Sequence, residues 1–481
     1  MAKLVTAILS IEEIQHIHVT SLRILENTGV SIHHQMVLNK LAEAGAQVDF
    51  NKKLVHFNAD LVMWALEKAE NHFILYGRDL QKVARFGYGD QNLISSPGQF
   101  AWFDRHTGVR RDPLLQDLLD AAKVGDALPN ITIVGAMAVP VDVPLAYRDV
   151  ISTAELVKAT HKPTRCWPVT RQSSRYVLEI YAALAGGKAA LRASPMVETF
   201  LEPISPLQLP ETGLDAMLEF LEYGQPVAIG PMVMVTGTGP ATLAGTLAQE
   251  NAEILAGITT IQVLAPGNPV MYGGIPHIMD PRTSICAFGS PEQGLMGVAM
   301  AQMGQHYKLP VYINVNLTDA KTLDVQAGME KMGSLVLGIL SGADLFGHCG
   351  IRGSDHGASL PWLVIDNEAM HYAKRILRGF TVNAETLAES VIAETGPAGN
   401  YLALEHTVRN FRKELWLPNE LWIRDYYEDW LEGGSVSMVD RANAKVDQIL
   451  TNHQVEPLDN NLEKEILRIT EIARQELFVN A

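Results

Sequence analysis

Apolar and polar positions follow two different rhythms along this chain. Near the start, Ser10 and Glu13 form a capping-box pattern, and Ile11, Ile14, Ile17, His18, Leu22, Ile24 and Leu25 recur at helical spacing. A short alternating segment at 48–57 and an amphipathic stretch at 59–69 follow, so residues 1–90 read as a mostly helical cap. From residue 91 the rhythm changes. Apolar runs at 131–139, 164–169, 196–202, 226–235, 270–274, 311–314 and 344–347 alternate with helical segments. They recur about every 30 to 43 residues, and each is nearly continuous, as strands covered on both faces must be. The pattern predicts an α/β fold, a (β/α)8 TIM barrel spanning 91–368. Residues 93–96 or a segment after Trp362 would supply the eighth strand. An open doubly wound sheet is the alternative, but no GxGxxG follows an early strand.

Other segments qualify this picture. Residues 92–112 read as a strand or hairpin whose Trp102 and Phe103 either pack over a barrel end or wall a pocket. The stretch VTGTGPAT at 235–242 lacks the lysine of a phosphate loop and reads as a tight turn between strand and helix. Residues 369–481 form a helical extension carrying Trp416, Trp422, Tyr426, Tyr427 and Trp430, which suit packing between helices or subunits. Its last part, 435–481, is expected to clasp a neighbour in a homo-oligomer.

Composition narrows the class. Hydrophobic content of 47% over 481 residues supports a large core, and a net charge of −16 disfavours nucleic acid and anionic membranes while attracting a small cation. Cys166, Cys286 and Cys349 are too few and too scattered for a disulfide framework, which points to a reducing cytoplasm. The first residues do not read as a signal peptide, and no apolar run is long enough to span a membrane.

Chemistry is expected at the carboxyl ends of the strands. The candidates there are Trp167, Glu202, Tyr272, His277, Asn314, Phe346, His348, Arg352 and His356, with Asn316, Asp319, Cys349 and Asp355 close by in sequence. The set is aromatic, imidazole and amide rather than a carboxylate cluster. No metal site is expected, because the adjacent side chains of His348 and Cys349 would diverge on a strand and no third ligand is evident. Aromatic faces suit a quaternary ammonium, and Arg352 or a histidine could hold a substrate carboxylate. Two rival readings are a Schiff-base lyase using Lys321, which otherwise reads as a solvated loop lysine, and a non-catalytic sensor of quaternary amines.

The segments NLTDAKTLDVQAGMEK at 316–331, GADLFGHCG at 342–350, LPWLVIDNE at 360–368 and MYGGIP at 271–276 together resemble the trimethylamine methyltransferase (MttB-type) superfamily. The resemblance covers nearly the whole chain. It implies a TIM barrel that moves a methyl group from a methylated amine to the Co(I) of a separate corrinoid protein, with no tightly bound cofactor of its own. Founding members carry pyrrolysine. This chain has only standard residues, so it resembles the branch acting on quaternary amines such as glycine betaine. No catalytic residue carries over from the pyrrolysine position.

Overall fold

The computed structural model describes residues 5–165, 167–418 and 421–479. Its centre is a ring of short parallel strands, β1 (Asn92–Ser95), β2 (Val134–Gly135), β3 (Thr164–Arg165), β4 (Thr199–Leu201), β5 (Val227–Ile229), β6 (Val270–Gly274), β7 (Val311–Asn314) and β8 (Leu345–Cys349). Strands β4 to β8 pair in order, and β8 then pairs with β1 through Leu345↔Asn92 and Phe346↔Leu93. The strand beginning at Asn92, not a segment after Trp362, therefore closes the ring. A bridge between Ile94 and Ile133 carries β1 on to β2, which pairs with β3. Between β3 and β4 the two edges are joined by a buried ion pair, Arg165 Nη1 to Glu198 Oε1 at 3.0 Å.

Each strand is followed by a helix on the outside: α1 (Leu115–Ala127), α2 (Arg148–Ala159), α3 (Arg171–Ala185), α4 (Glu211–Glu222), α5 (Leu243–Leu264), α6 (Pro291–His306), α7 (Val325–Ser341) and α8 (Leu360–Arg378). Helix α5 is buried without interruption from Thr246 to Gln262. A helix buried all round needs cover on its outer side. The N-terminal helix Ile11–Arg23 supplies part of it, with Ser21 Oγ donating to the Ala248 carbonyl at 2.8 Å and accepting from Asn251 Nδ2 at 2.9 Å. The N-terminal region is less helical than its periodicity predicts. Strands Val30–Ile32, Gln47–Asp49 and Leu54–His56 form a small sheet with Gln208–Leu209.

A second departure is the hairpin Phe73–Tyr76 and Val83–Phe86. Phe73 stacks on Phe86 with centroids 4.5 Å apart, and together with Leu75 and Ala84 they pack against Ile94, Ala228, Met271, Tyr312 and Leu345 inside the ring. Asp344, just ahead of β8, accepts from the Gly87 amide at 2.7 Å and from the Val311 amide at 2.8 Å. The hairpin thus stoppers the amino end of the barrel. At the other extreme of the chain, helix Met438–Asn452 lies on α1 and α8 and helix Asn460–Val479 on α2 and α3. These residues, expected to clasp a neighbour, cover the chain's own barrel. Among the described residues, no helix is long and apolar enough to cross a membrane.

Candidate active site

Side chains alternate between the two faces of a strand, so Glu198, Phe200 and Glu202 project to one face of β4 and its extension while Leu201 joins the core outside the ring. Phe200 meets Trp167 edge to face at 5.8 Å and Tyr312 at 5.8 Å. The Arg165 guanidinium lies 5.0 Å from the Phe200 ring and 5.4 Å from that of Trp167. Room for Phe200 comes from Gly230, where a Cβ would sit 2.2 Å from the ring.

Tyr312 and His348 continue this wall. The Tyr312 hydroxyl donates to Asn314 Oδ1 and lies 3.1 Å from His348 Nε2. A phenol has one proton, so His348 must be the donor at Nε2, with Nδ1 left as an acceptor. Burial, reinforced by Arg165 and His277, lowers the His348 pKa to about 3. It is a neutral imidazole at physiological pH.

These elements open on a cavity of about 450 Å³ at the carboxyl ends of the strands, lined by Trp167, Glu202, His348, Asp355, Arg148 and Phe100 among others. Glu202 and Asp355 are exposed to solvent, and both line the cavity. Both carboxyls titrate above their ordinary range, mainly because the ionised form loses solvation; for Glu202 the charge of Asp355 adds to the shift and Arg165 opposes it. Arg148 is held by its Nε, which donates to the Val143 carbonyl at 2.9 Å. Its terminal nitrogens bond to no described residue. Neighbouring Asp149 is spent on structure, accepting from the amides of Val150 at 3.0 Å and Val169 at 2.7 Å and from the Ser173 hydroxyl.

The trimethylamine methyltransferase (MTTB) family profile matches residues 3–477. This chain belongs to that family. It is 32% identical over 462 residues to the glycine betaine methyltransferase of Desulfitobacterium hafniense, covering 95% of each protein. It is 31% identical to the trimethylamine methyltransferase MttB1 of Methanosarcina acetivorans, covering 96% of this chain and 94% of the relative. Among solved structures it is similar to the monomethylamine methyltransferase MtmB of Methanosarcina barkeri, with a TM-score of 0.49 at 11% identity over 97% of this chain and 92% of that one. The protein is a methyltransferase.

In this MTTB-family barrel, the residues picked from sequence separate into two groups. Trp167, Glu202 and His348 meet at the cavity, with Asn314 behind them as the partner of Tyr312. The others lie elsewhere. Tyr272 is fully buried on the outer side of β6, where its hydroxyl donates to Asn251 Oδ1 at 2.7 Å, while its neighbour Met271 points inward. Phe346 also faces outward, beside inward-facing Leu345. His277 is fully buried, with Nδ1 2.6 Å from the Ile275 carbonyl and its pKa lowered to about 4 by burial. Arg352 stacks 3.3 Å above the Phe103 ring, its pKa lowered to about 10 by burial, and does not line the cavity. His356 is exposed. Lys321 is also exposed, with Nζ donating to the Asp319 carbonyl at 2.6 Å, so it lacks the burial a Schiff-base lysine needs.

Trp102 is buried, and neither it nor Phe103 lines the cavity. The amides of Gly237, Thr238 and Gly239 all point to the Met234 carbonyl, which makes that glycine-rich stretch a closed turn. Sequence reasoning passed over Phe200, Tyr312, Arg165, Arg148 and Phe100. Counting back by two from Glu202 would have found Phe200.

Proposed function

We propose that this protein transfers a methyl group from a quaternary amine bearing a carboxylate, of which glycine betaine is the simplest, to the Co(I) of a corrinoid carried on a separate protein. The observation that carries the reading is the cavity itself, in which aromatic faces and two destabilised carboxylates surround a space with no cationic lysine. A quaternary ammonium cannot donate a hydrogen bond, so ring quadrupoles and nearby negative charge are what can hold it. Trp167 and Phe100 supply the faces. Glu202 and Asp355 supply the charge, and a bound cation favours their ionised forms. On the same wall, the unengaged end of Arg148 suits a carboxylate, the task expected of Arg352 or a histidine from the sequence.

The chemistry asks little of the protein's own acids and bases. As the N–CH3 bond breaks, its electron pair stays on nitrogen and a neutral tertiary amine leaves, so no proton is required. Neutral His348 accords with this. The protein's contribution is to orient the substrate and keep water from it. The corrinoid, when its carrier docks, supplies the cobalt nucleophile. Fit to such a partner rests on the cavity's lip, where Phe100 is 80% exposed and Leu145 and Val169 are exposed beside it. An apolar rim of this kind suits coverage by another macromolecule.

The test combines purified protein, glycine betaine and a cognate corrinoid protein held as Co(I). The expected products are a methyl–cobalt absorbance spectrum and dimethylglycine in equal amounts. An unchanged spectrum with betaine and related quaternary amines, using a corrinoid protein competent with another methyl donor, would reject the assignment.

A further inference from the structure

The loops at the cavity end of the barrel meet at a carboxylate that does not itself line the cavity. Asp319 lies between β7 and α7 and takes three neutral donors. Its Oδ1 accepts from the Phe288 amide at 2.8 Å and from the Ser354 hydroxyl at 2.6 Å, and its Oδ2 accepts from the Gly289 amide at 3.0 Å. It thereby joins the loop before α6 to the loop after β8. An amide side chain could not do the same, because one of its two ends is itself a donor. Asp319 is held in turn from α7, where Glu330 Oε2 accepts from its amide at 2.8 Å and from the Thr318 hydroxyl at 2.6 Å.

The backbone that Asp319 grips is left-handed over three successive residues. Gly353, Ser354 and Asp355 have φ of 68°, 55° and 65°. Glycine takes this conformation freely, whereas a residue with a Cβ takes it at a cost, so such a turn persists only where its surroundings enforce it. The His356 amide closes it by donating to the Arg352 carbonyl at 3.0 Å, and the Ser354 amide donates to the Thr318 carbonyl at 3.1 Å. Arg110 ties the far end, its Nε donating to the His356 carbonyl at 2.9 Å. Asp355 lines the cavity, where Gln99 hydrogen-bonds its carboxyl. Relaxing Asp355 to an ordinary negative φ would aim that carboxyl elsewhere.

We infer that Asp319 is a positioning residue for methyl transfer: through Ser354 it holds the turn 353–355 left-handed, and so keeps the Asp355 carboxylate facing the onium head. The inference rests on the reading of the cavity as a quaternary-amine site. Asp319 reaches the ligand only by way of Asp355. Its loss should therefore weaken the grip on the head and leave recognition of the substrate's carboxylate by Arg148 untouched.

Calorimetry on the full chain tests this with three ligands: tetramethylammonium, which is the head alone, glycine betaine and choline. Ser354→Ala and Asp319→Ala should each raise all three Kd values by about tenfold, the effect of leaving Asp355 in place in about a tenth of the molecules. The ratio of the betaine and choline constants should stay the same. In an Asp355→Asn background, neither substitution should change a Kd by more than about twofold, because the pathway is already cut. If Asp319 served only to fix the loop before α6, binding would weaken equally in both backgrounds. That result overturns the inference, as does an unchanged Kd in Ser354→Ala. If Asp319→Ala fails to fold, Ser354→Ala decides alone, since it leaves the Phe288 and Gly289 amides bonded. A wild type that binds none of the three ligands overturns the reading of the cavity and this inference with it. A wild type that binds them, with equal losses in the two backgrounds, overturns the inference and leaves that reading standing.

Discussion

Loss of solvation around the ionised form raises the pKa of both Glu202 and Asp355, and the charge of Asp355 adds to the shift of Glu202. A cation between them reverses part of the effect. Betaine affinity should therefore strengthen as pH rises through the range where they lose their protons, with calorimetry detecting proton release on binding. Glu202→Gln combined with Asp355→Asn should flatten that dependence. In the proposed complex, Arg148 would hold the substrate's carboxylate. Arg148→Ala should raise the Kd for glycine betaine by about 10- to 150-fold, the worth of a hydrogen bond to a charged group, and leave that for choline unchanged. Trp167→Ala should weaken both, since each carries the trimethylammonium head. Equal losses for the two ligands in the arginine variant would remove it from the carboxylate's site.

The strands show why some of this was legible and some was not. Parallel strands buried on both faces leave apolar runs that announce a barrel, and residues just past the runs, such as Trp167 and His348, follow at its mouth. The same continuity hides direction. Every position of β6, and the first three of β8, is apolar or glycine, so Tyr272 and Phe346 could not be assigned to the inside or the outside from composition. Alternation is visible only where a polar residue marks it, as Glu198 and Glu202 do around Phe200. The small N-terminal sheet showed only as the alternation at 48–57, and the hairpin left no signal, because strands of three or four residues are too short for a clear period.

The seam between β3 and β4 carries its own prediction. Arg165 and Glu198 are both buried, and removing one leaves the other uncompensated, so Glu198→Gln should lower stability by roughly 3–5 kcal/mol in urea unfolding. Replacing both with Met should recover most of that loss. Gly230→Ala should distort the Phe200 wall, with a cost of about 1–3 kcal/mol and lower activity.

For the molecule as a whole, buried neutral histidines link folding to acidity. The folded-state pKa values of His277 and His348 lie near 4 and near 3, whereas an unfolded histidine titrates near 6.5. Between those limits the unfolded chain binds the extra protons, so each histidine removes stability as pH falls below about 6.5, by up to about 1.4 kcal/mol per pH unit. Burial-raised carboxylates push the other way, so the comparison must be with a variant. His277→Leu should show a shallower loss of stability than the wild type between pH 7 and pH 5 in denaturant titrations.

The stoppered amino end has a consequence for the sequence of events during turnover. In the proposed reaction, with the hairpin at 73–86 filling one end of the cylinder, the amine, the departing product and the cobalt would all use the opposite mouth. The amine would then have to be aboard before the carrier arrives, and the spent amine could not leave until the carrier had withdrawn. Steady-state rates should therefore fit a compulsory-order scheme, with excess carrier slowing the enzyme by trapping it before the amine can load.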